Sequence, residues 1–391
     1  MFSEDFQADP AAVIDRLREE SWVARTILGG FVIGRPQVQA LLADRHLRSS
    51  VPDIVRMQGI SEGPLYDRPR TSILALEGED HVRVRKLSSR AFTPRAVDVH
   101  RADMRSTLTR LVAPLVSQGR CDFMADIAEH YPIEVMCHLL GVPDVDHEDF
   151  AKWNRAITWA LSFQLSAHRA DVEWGMGQMQ AYVDRLMRDR RANPRDDLVT
   201  AFLQAREAND RLTDDEIQTM IAALLFAGYD TTRNQLGLGM WMFAQHPEQW
   251  AKLGADPSLA PAAVEEMMRF RGTVAVAPRA VAEDFEFEGY RFEVGTMLTL
   301  STGAANHDPA TYDDPQSFDI TAQREPHFTF GGGPHYCLGA SLARAEMQEA
   351  LPILAAAMPN LELDGEPTWR PPLGIFGPET LPLRFGPLRS R

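Results

Sequence analysis

The chain has 391 residues, of which 45% are hydrophobic and 24% are charged. This balance is typical of a soluble globular protein and excludes a chain that is disordered, collagen-like or a coiled coil throughout. The 40 Lys and Arg residues stand against 55 Asp and Glu residues, which gives a formal net charge of −15. Phosphate repels so acidic a chain unless a basic patch is segregated, so we expect no nucleic-acid partner.

The cysteines and the first residues indicate the compartment. Cys121, Cys137 and Cys337 are too few for a disulfide framework, and their spacing forms no CxxC pair. The first residues carry acids where a signal peptide needs bases, and no apolar run approaches the roughly 20 residues that span a bilayer. These observations predict a soluble, cytoplasmic protein with no membrane anchor.

Hydrophobic periodicity predicts a mainly α chain with small β-sheets, an α+β fold in a single domain over 1–391 with β regions near 22–33 and 273–300. In chain order, we expect a β-hairpin over 22–33 around Gly29 and Gly30, helices from about 80 to 270, a small sheet over 285–300, a loop over 308–326, one helix after Cys337, and loops with short strands over the last thirty residues or so.

The longest predicted helix runs from Thr213 to about His246. Thr213 and Glu216 form a T-x-x-E capping box at its start, and Pro247 ends it. More than thirty residues rise roughly 50 Å, enough to cross the whole protein. The segment A-G-Y-D-T-T over 227–232 interrupts this apolar helix with poor helix formers. It marks either a harmless kink or polar patch, or a functional site.

The segment from Phe330 to Gly339, F-G-G-G-P-H-Y-C-L-G, precedes another predicted helix. Its glycines allow the backbone to pass close to a flat, bulky group. Cys337 lies just before the helix, where the helix dipole and free N–H groups stabilise a thiolate. Such a thiolate is a good axial ligand for haem iron. Cys121 and Cys137 lack this setting and are expected to be buried small hydrophobic residues.

This loop resembles the haem-binding signature of the cytochrome P450 family, F-G-x-G-x-H-x-C-x-G. The resemblance implies the cytochrome P450 fold, in which haem b (iron protoporphyrin IX) lies between a long distal helix and a proximal cysteine loop. It also implies that Cys337 is the metal ligand of the haem iron, and that Phe330, Gly331, His335 and Gly339 are cofactor-binding residues.

Under this resemblance, residues 227–232 match the distal-helix motif of the family. Ala227 and Gly228 would border the cofactor, with Gly228 over the haem to open a pocket for oxygen. Asp230 and Thr231 would be the catalytic acid–alcohol pair that relays protons to bound dioxygen. Such a pair is needed because an apolar pocket must receive protons without filling with water.

Cationic residues resemble those that hold the two haem propionates in the family. His81 and Arg85 match an H-x-x-x-R helix, and Arg279 and His335 complete the set. Buried carboxylates need such cationic or hydrogen-bonding partners. Without the resemblance, we would assign His81 and Arg85 to a solvated helix face.

Glu266 and Arg269 match the E-x-x-R of the family, to which the resemblance gives a structural role. Taken alone, such a doublet is commonly a surface ion pair worth well under about 1 kcal/mol. The chain departs from the family pattern at 77–79, where it has E-G-E in place of a usual proline. It also departs at Ala322, where arginine is usual and Arg324 follows two residues later. We expect neither departure to touch the chemistry.

The resemblance implies a haem-thiolate monooxygenase, which inserts one oxygen atom of O2 into a C–H bond while the other leaves as water. Two electrons would come from a separate redox partner, a ferredoxin with its ferredoxin reductase, because no G-x-G-x-x-G follows a predicted strand. A basic stretch, which the resemblance places near the proximal haem face, would dock this partner or be a solvated helix: Arg83, Arg85, Lys86, Arg90 and Arg95.

We expect an apolar or weakly polar substrate of moderate size, such as a terpenoid, steroid, fatty acid or polyketide. The resemblance places the pocket at 51–74, around Trp159, Phe163 and Leu165, at the distal helix, at 273–277 and at 374–376, although an aromatic stripe such as Trp159 and Phe163 is more often plain core. Two alternatives stay open. One is the same scaffold with peroxide-driven oxidation or oxidative coupling, and the other is a haem-based sensor, which would not need the acid–alcohol pair.

Overall fold

A computed structural model describes residues 9–143, 146–162, 164–207, 212–371 and 374–386. The α-helices in these ranges are α1 Pro10–Glu20, α2 Arg35–Leu41, α3 Val51–Met57, α4 Pro64–Thr71, α5 Gly78–Ser89, α6 Pro94–Asp98, α7 Arg101–Val116, α8 Tyr131–Leu140, α9 His147–Ile157, α10 Arg169–Ala192, α11 Leu198–Glu207, α12 Asp214–Gln245, α13 Pro247–Ala255, α14 Ala260–Phe270, α15 Thr302–Ala305 and α16 Ala340–Ala357. None of these helices is long and apolar enough to cross a membrane.

The strands are short, so the prediction of a mainly α chain with small sheets is confirmed. They are β1 Val23–Thr26, β2 Gly29–Val32, β3 Leu47–Ser49, β4 Arg120–Asp122, β5 Ala277–Val281, β6 Phe285–Phe287, β7 Tyr290–Phe292, β8 Met297–Leu300, β9 Glu362–Leu363, β10 Thr368–Trp369, β11 Pro378–Thr380 and β12 Pro382–Arg384.

The largest sheet has the order β1-β2-β8-β5-β3, with β2 and β8 parallel and the other pairs antiparallel. The hairpin predicted over 22–33 is confirmed as β1–β2, but its turn lies at Ile27 and Leu28. Gly29 instead begins β2 with a φ of +121°, and a Cβ there would collide with the backbone of Met297. The close approach of β8, rather than the turn, therefore requires this glycine.

The sheet predicted over 285–300 is divided between two sheets. β6 and β7 form a two-stranded sheet, whereas β8 lies between β2 and β5 in the five-stranded sheet. Nearer the C-terminus, β4, β12 and β9 form one sheet and β10 and β11 another. Because Leu383 of β12 pairs with Cys121 of β4, this end of the chain returns to the helical part of the protein.

The long helix α12 forms where the sequence predicts it. The Thr213 side chain accepts a hydrogen bond from the Glu216 N–H, and the Glu216 carboxylate accepts one from the Thr213 N–H, so the capping box is present. The helix runs from Asp214 to Gln245 without a break, and its 32 residues rise about 48 Å. Buried side chains occur all around it, which makes α12 the axis of the main hydrophobic core.

Neighbouring elements pack methionine side chains against glycines of α12. Three such glycine–methionine pairs occur among the described residues of α12. In two of them, a Cβ on the glycine would lie 2.5 Å from the methionine Sδ, which is closer than any ordinary packing contact. Glycine is therefore needed at these positions because each neighbour packs directly on the helix backbone. These glycine–methionine contacts are Gly228 with Met136 of α8, Gly237 with Met124, and Gly239 with Met267 of α14.

The E-x-x-R doublet is a buried ion pair and not a surface one. Nε and Nη2 of Arg269 donate to the Glu266 carboxylate at 2.7 and 2.8 Å, and both side chains are at most 3% exposed. Arg269 also donates to three backbone carbonyls of the segment after α15. Arg324 places Nη2 3.9 Å from Glu266 and donates to carbonyls of the same segment, so the arginine two residues after Ala322 contacts the E-x-x-R pair.

Candidate functional site

Glycines and the start of α16 shape the cysteine loop. Gly331 and Gly333 have φ of +71° and +62°, and a Cβ at Gly333 would collide with the backbone of Leu42. The backbone N–H of Cys337 donates to the Phe330 carbonyl at 2.9 Å, which closes the loop. The sequence therefore folds locally so that Cys337 is presented just before α16.

The thiol of Cys337 has opposing influences on its pKa. Burial raises the pKa, while a hydrogen bond from the Gly339 N–H and the charges of Arg85 and Arg344 lower it, and burial outweighs them. The predicted N–H donor near the helix start is present, but it does not favour the thiolate on balance. A metal ion that binds the sulfur would deprotonate it outright.

Cys337 and one face of α12 line internal space. The Cys337 side chain is solvent-accessible although protein surrounds it. In the middle of α12, Ala223, Ala227 and Thr231 are partly accessible, whereas most of their neighbours are buried. These three residues lie at i, i+4 and i+8, hence on one helix face. A Cβ at Gly339 would meet nothing within 4 Å, so open space also adjoins the start of α16.

Gly228 packs against a neighbouring helix on one side. The side of Gly228 on which a side chain would stand faces Met136 of α8, so helix packing requires the glycine. Ala227 lies on the accessible face, and its carbonyl accepts a hydrogen bond from Oγ1 of Thr231 at 2.7 Å. The space beside α12 is therefore bordered by Ala227 and Thr231, and the opening of an oxygen pocket by Gly228 stays a prediction.

Asp230 is fully buried in an ion pair that the sequence did not reveal. Nη1 of Arg370 lies 2.8 and 2.9 Å from the two carboxylate oxygens, Oγ1 of Thr158 donates at 2.6 Å, and Nδ2 of Asn234 donates at 3.1 Å. Both oxygens are thus held by these donors, while the Thr231 hydroxyl binds a backbone carbonyl. Arg370 and Asp230 are 140 residues apart, so no local motif could predict the pair.

The predicted propionate partners lie beside the cysteine loop. The rings of His81 and His335 have centroids 4.5 Å apart, and Nη2 of Arg85 donates to the Tyr336 carbonyl at 2.5 Å. His81 is 2% exposed, and its Nε2 has no hydrogen-bond partner among the described residues. Arg279 lies in β5, where burial lowers its pKa. Buried polar groups with spare donors are suited to an anionic ligand.

Glu77, at the departure from the family pattern over 77–79, joins these groups. Its carboxylate accepts hydrogen bonds from Nε2 of His335 at 3.1 and 3.2 Å and from the Ser49 N–H at 2.5 Å. Ser49 of β3 is the register partner of Arg279. Burial raises the pKa of Glu77, but the hydrogen bonds from His335 and Ser49 outweigh it and lower the pKa. A carboxylate therefore lies among the cationic groups.

A model of the family described as Cytochrome P450 matches residues 61–356. The chain belongs to the cytochrome P450 family. It is 41% identical over 375 residues to the luteothin monooxygenase of Streptomyces thioluteus, which covers 94% of this chain and 91% of the relative. It is 30% identical over 397 residues to the polyketide biosynthesis cytochrome P450 PksS of Bacillus subtilis, which covers 97% and 96%. The predicted family is thus confirmed.

The fold is confirmed by solved P450 structures. The structure of P450BioI in complex with an acyl carrier protein ligated to hexadec-9Z-enoic acid matches with a TM-score of 0.90 and 30% identity. The match covers 98% of this chain and all of that chain. The 391-residue chain is therefore a P450 monooxygenase, an oxidoreductase that incorporates oxygen, as its relatives are.

The site of this P450 fits the haem-thiolate cofactor of the family. The Cys337 sulfur is accessible from internal space, and the open space at Gly339 admits a bulky group. The unpartnered Nε2 of buried His81 and the desolvated guanidinium of Arg279 are suited to carboxylates. A sulfur ligand, an open cradle and cationic groups therefore occur together, as a porphyrin with two propionates requires.

The basic stretch is only partly available to a protein partner. Arg83 is paired with Asp80 at 2.9 Å and with Glu216 of α12 at 2.5 Å, and Arg85 binds the cysteine loop. These two arginines therefore serve the fold and the site. The exposed members of the stretch are Lys86, Arg90 and Arg95.

Two of the residues expected at the substrate pocket pack in a hydrophobic cluster, Leu165 as a buried member and Trp159 as a partly buried one. The ring of Trp159 stacks on His168 with centroids 4.1 Å apart and an interplanar angle of 9°, and Leu165 is 1% exposed. Both pack in one hydrophobic cluster with residues of α3 and α4, which joins this region to 51–74. Phe163 lies outside the described residues.

The other two pocket segments meet each other. The N–H of Phe376 donates to the Thr273 carbonyl at 2.9 Å, and Oγ1 of Thr273 donates to the Phe376 carbonyl at 2.6 Å. Ala275, which belongs to the first of these segments, is exposed. Residues 273–277 and 374–376 thus form one apolar wall, which sequence order alone could not bring together.

Proposed function

We propose that this P450 binds haem b through Cys337 and inserts one oxygen atom of O2 into an apolar or weakly polar organic molecule. The observation that carries the proposal is the Cys337 sulfur, which is accessible from internal space and accepts a hydrogen bond from the Gly339 N–H. A hydrogen-bonded sulfur at the start of a helix is suited to axial ligation. The name of the luteothin monooxygenase supports the reaction type.

Residues of this chain would bind the cofactor and handle protons. When bound, haem with a thiolate ligand supplies the activation of dioxygen. His81, Arg85 and Arg279 would hold the propionates. The Thr231 hydroxyl, on the accessible face of α12, would hold a proton at the oxygen-binding side, and the buried Asp230 carboxylate would take part with it in relaying protons.

A polyketide-type molecule is the substrate class we propose. The name of PksS refers to polyketide biosynthesis, and that relative aligns over nearly the whole chain. The wall formed by 273–277 and 374–376 is mostly apolar, with Thr273 using its hydroxyl on the Phe376 carbonyl. Such a wall binds by burial of apolar surface and leaves few charges to pair.

The first experiment is an absorbance spectrum of the purified protein, reduced and exposed to carbon monoxide. A strongly red-shifted Soret band in the wild type and in Cys121→Ser, lost in Cys337→Ser, is the expected result. Cys121 is a matched control because it is partly buried and far from the loop in sequence. An ordinary haem–CO band in the wild type, or no haem after reconstitution, would contradict the proposed function.

Turnover separates oxygen insertion from the alternatives. Compounds that shift the haem spin state would be incubated with the protein, an electron donor and isotope-labelled dioxygen. The products would then be analysed by mass spectrometry. One labelled oxygen atom in the product is expected. A coupled product without label would support oxidative coupling, and ligand binding without any product would support a sensor.

We propose that a ferredoxin with its ferredoxin reductase supplies the electrons in the cytoplasm, and that it docks at Lys86, Arg90 and Arg95. These exposed cations complement an acidic partner even though the chain as a whole is acidic. Reversing Lys86 and Arg95 to Glu should slow reduction and flatten its salt dependence. Arg16→Glu with Arg188→Glu, exposed on α1 and α10, is the control. An equal effect of both pairs would refute the site.

A further inference from the structure

Glu77 belongs to the E-G-E segment over 77–79, where the chain lacks the usual proline of the family. It precedes the first residue of α5, yet its side chain makes no capping hydrogen bond to that helix. The carboxylate turns instead to the N–H of Ser49 in β3 and to Nε2 of His335 in the cysteine loop. Because a carboxylate only accepts, Nε2 of His335 carries the proton in this bond.

The carboxylate lies within a group of basic side chains. Its charge acts on His335, His81 and Arg279. Arg279 is partly buried, and its guanidinium donates to the carbonyl of Pro278. Arg85 completes the group at the loop carbonyl. Glu77 therefore lowers the net positive charge that this end of the pocket offers to two propionates.

We propose that Glu77 is a fixed counter-charge in the propionate pocket, which keeps the reduction potential of the bound haem low. This inference rests on the proposed haem cofactor. Reduction of the ferric haem adds one electron, so a nearby negative charge disfavours it through the Coulomb interaction. Glu77 also holds the His335 nitrogen that would otherwise be available to a propionate, so it acts through His335 as a positioning residue.

Glu77→Gln removes the charge and keeps the size and an amide oxygen for Ser49. Because 38% of the Glu77 side chain is exposed, water screens its charge. We expect the ratio of ferrous to ferric haem at a fixed ambient potential to rise about threefold, equivalent to about 28 mV at 59 mV per tenfold change. Glu77→Asp, which keeps the charge, should stay closer to the wild type.

The matched control is Glu79→Gln, an exposed carboxylate in the first turn of α5. Redox titrations of the haem-loaded proteins give the potentials, and transfer of haem to an acceptor globin gives the dissociation rate. The rate should not rise in Glu77→Gln, because the substitution removes repulsion from the propionates and frees a donor on His335.

The outcomes separate this inference from the proposed function. No thiolate-ligated haem in the wild type would contradict the proposed function before any variant is made. With haem bound, equal potentials for Glu77→Gln, Glu79→Gln and the wild type would overturn the role of Glu77. Faster loss of haem from Glu77→Gln, or failure to load it, would also overturn the role, because a purely structural Glu77 predicts that result.

Discussion

The ion pair between Arg370 and Asp230 connects the C-terminal part of the chain to the middle of α12. Asp230 is completely buried and the Arg370 side chain is 13% exposed. Removing one partner of a buried pair costs about 3–5 kcal/mol, because the other charge stays buried without compensation. Thr158 and Asn234 still donate to Asp230 after Arg370→Met, so we expect the lower end of this range, about 3 kcal/mol.

A double-mutant cycle tests this reasoning. Arg370→Met and Asp230→Asn should each lower the free energy of unfolding by about 3 kcal/mol, while the double variant should lose much less than the sum because no unpaired charge remains. The coupling energy should reach about 2–3 kcal/mol, as for other contacting residues. Urea unfolding of the haem-loaded proteins measures it, with Arg370→Lys as the charge-retaining control. Effects that add to within about 0.5 kcal/mol would refute a coupled pair.

Three further predictions follow from the site and the core. Thr231→Ala should keep haem and substrate binding but lower the product formed per electron consumed, and unchanged coupling would contradict the proton role of Thr231. Gly228→Ala should destabilise the protein by about 1–3 kcal/mol because its Cβ collides with Met136. In a Met136→Ala background, where this collision is absent, Gly228→Ala should cost much less in thermal unfolding, and an unchanged cost would count against this contact. For Glu265, burial raises the pKa, but hydrogen bonds from His327 and Arg344 outweigh it and lower the pKa from 4.5 to about 2. The stabilising effect of Glu265 should be complete above about pH 4.5 and disappear as the pH falls towards 2. If the free energy of unfolding has the same slope against pH in Glu265→Gln as in the wild type over that window, this contribution of Glu265 is excluded.

Local signals predicted the parts of the fold that depend on neighbouring residues. The ends of α12 follow from a capping box at Thr213 and a proline after His246, so the prediction was correct to the residue that caps each end. The hairpin was also located, but its turn was misplaced because Gly29 is required by β8, which lies far away in the sequence. A glycine alone does not reveal which neighbour requires it.

The site was predicted where a family motif carries it and missed where only tertiary structure does. The cysteine loop and His81 are recognised from their motifs, and the structure brings them together. Arg370 carries no motif and reaches Asp230 through the C-terminal sheet region. Glu77 was visible only as a departure from a pattern, and its contacts with Ser49 and His335 depend on the packing of three separate segments.

The glycine–methionine contacts of α12 restrict how this enzyme can evolve. A side chain introduced at any of these glycines must displace sulfur from a neighbouring element, so one substitution there requires a second in the partner. The methionines are unbranched and adaptable, so the partner side of each contact tolerates change better than the helix. We therefore expect new substrate preferences to arise through 51–74 and 273–277. Libraries for directed evolution should vary those segments and leave the long helix intact.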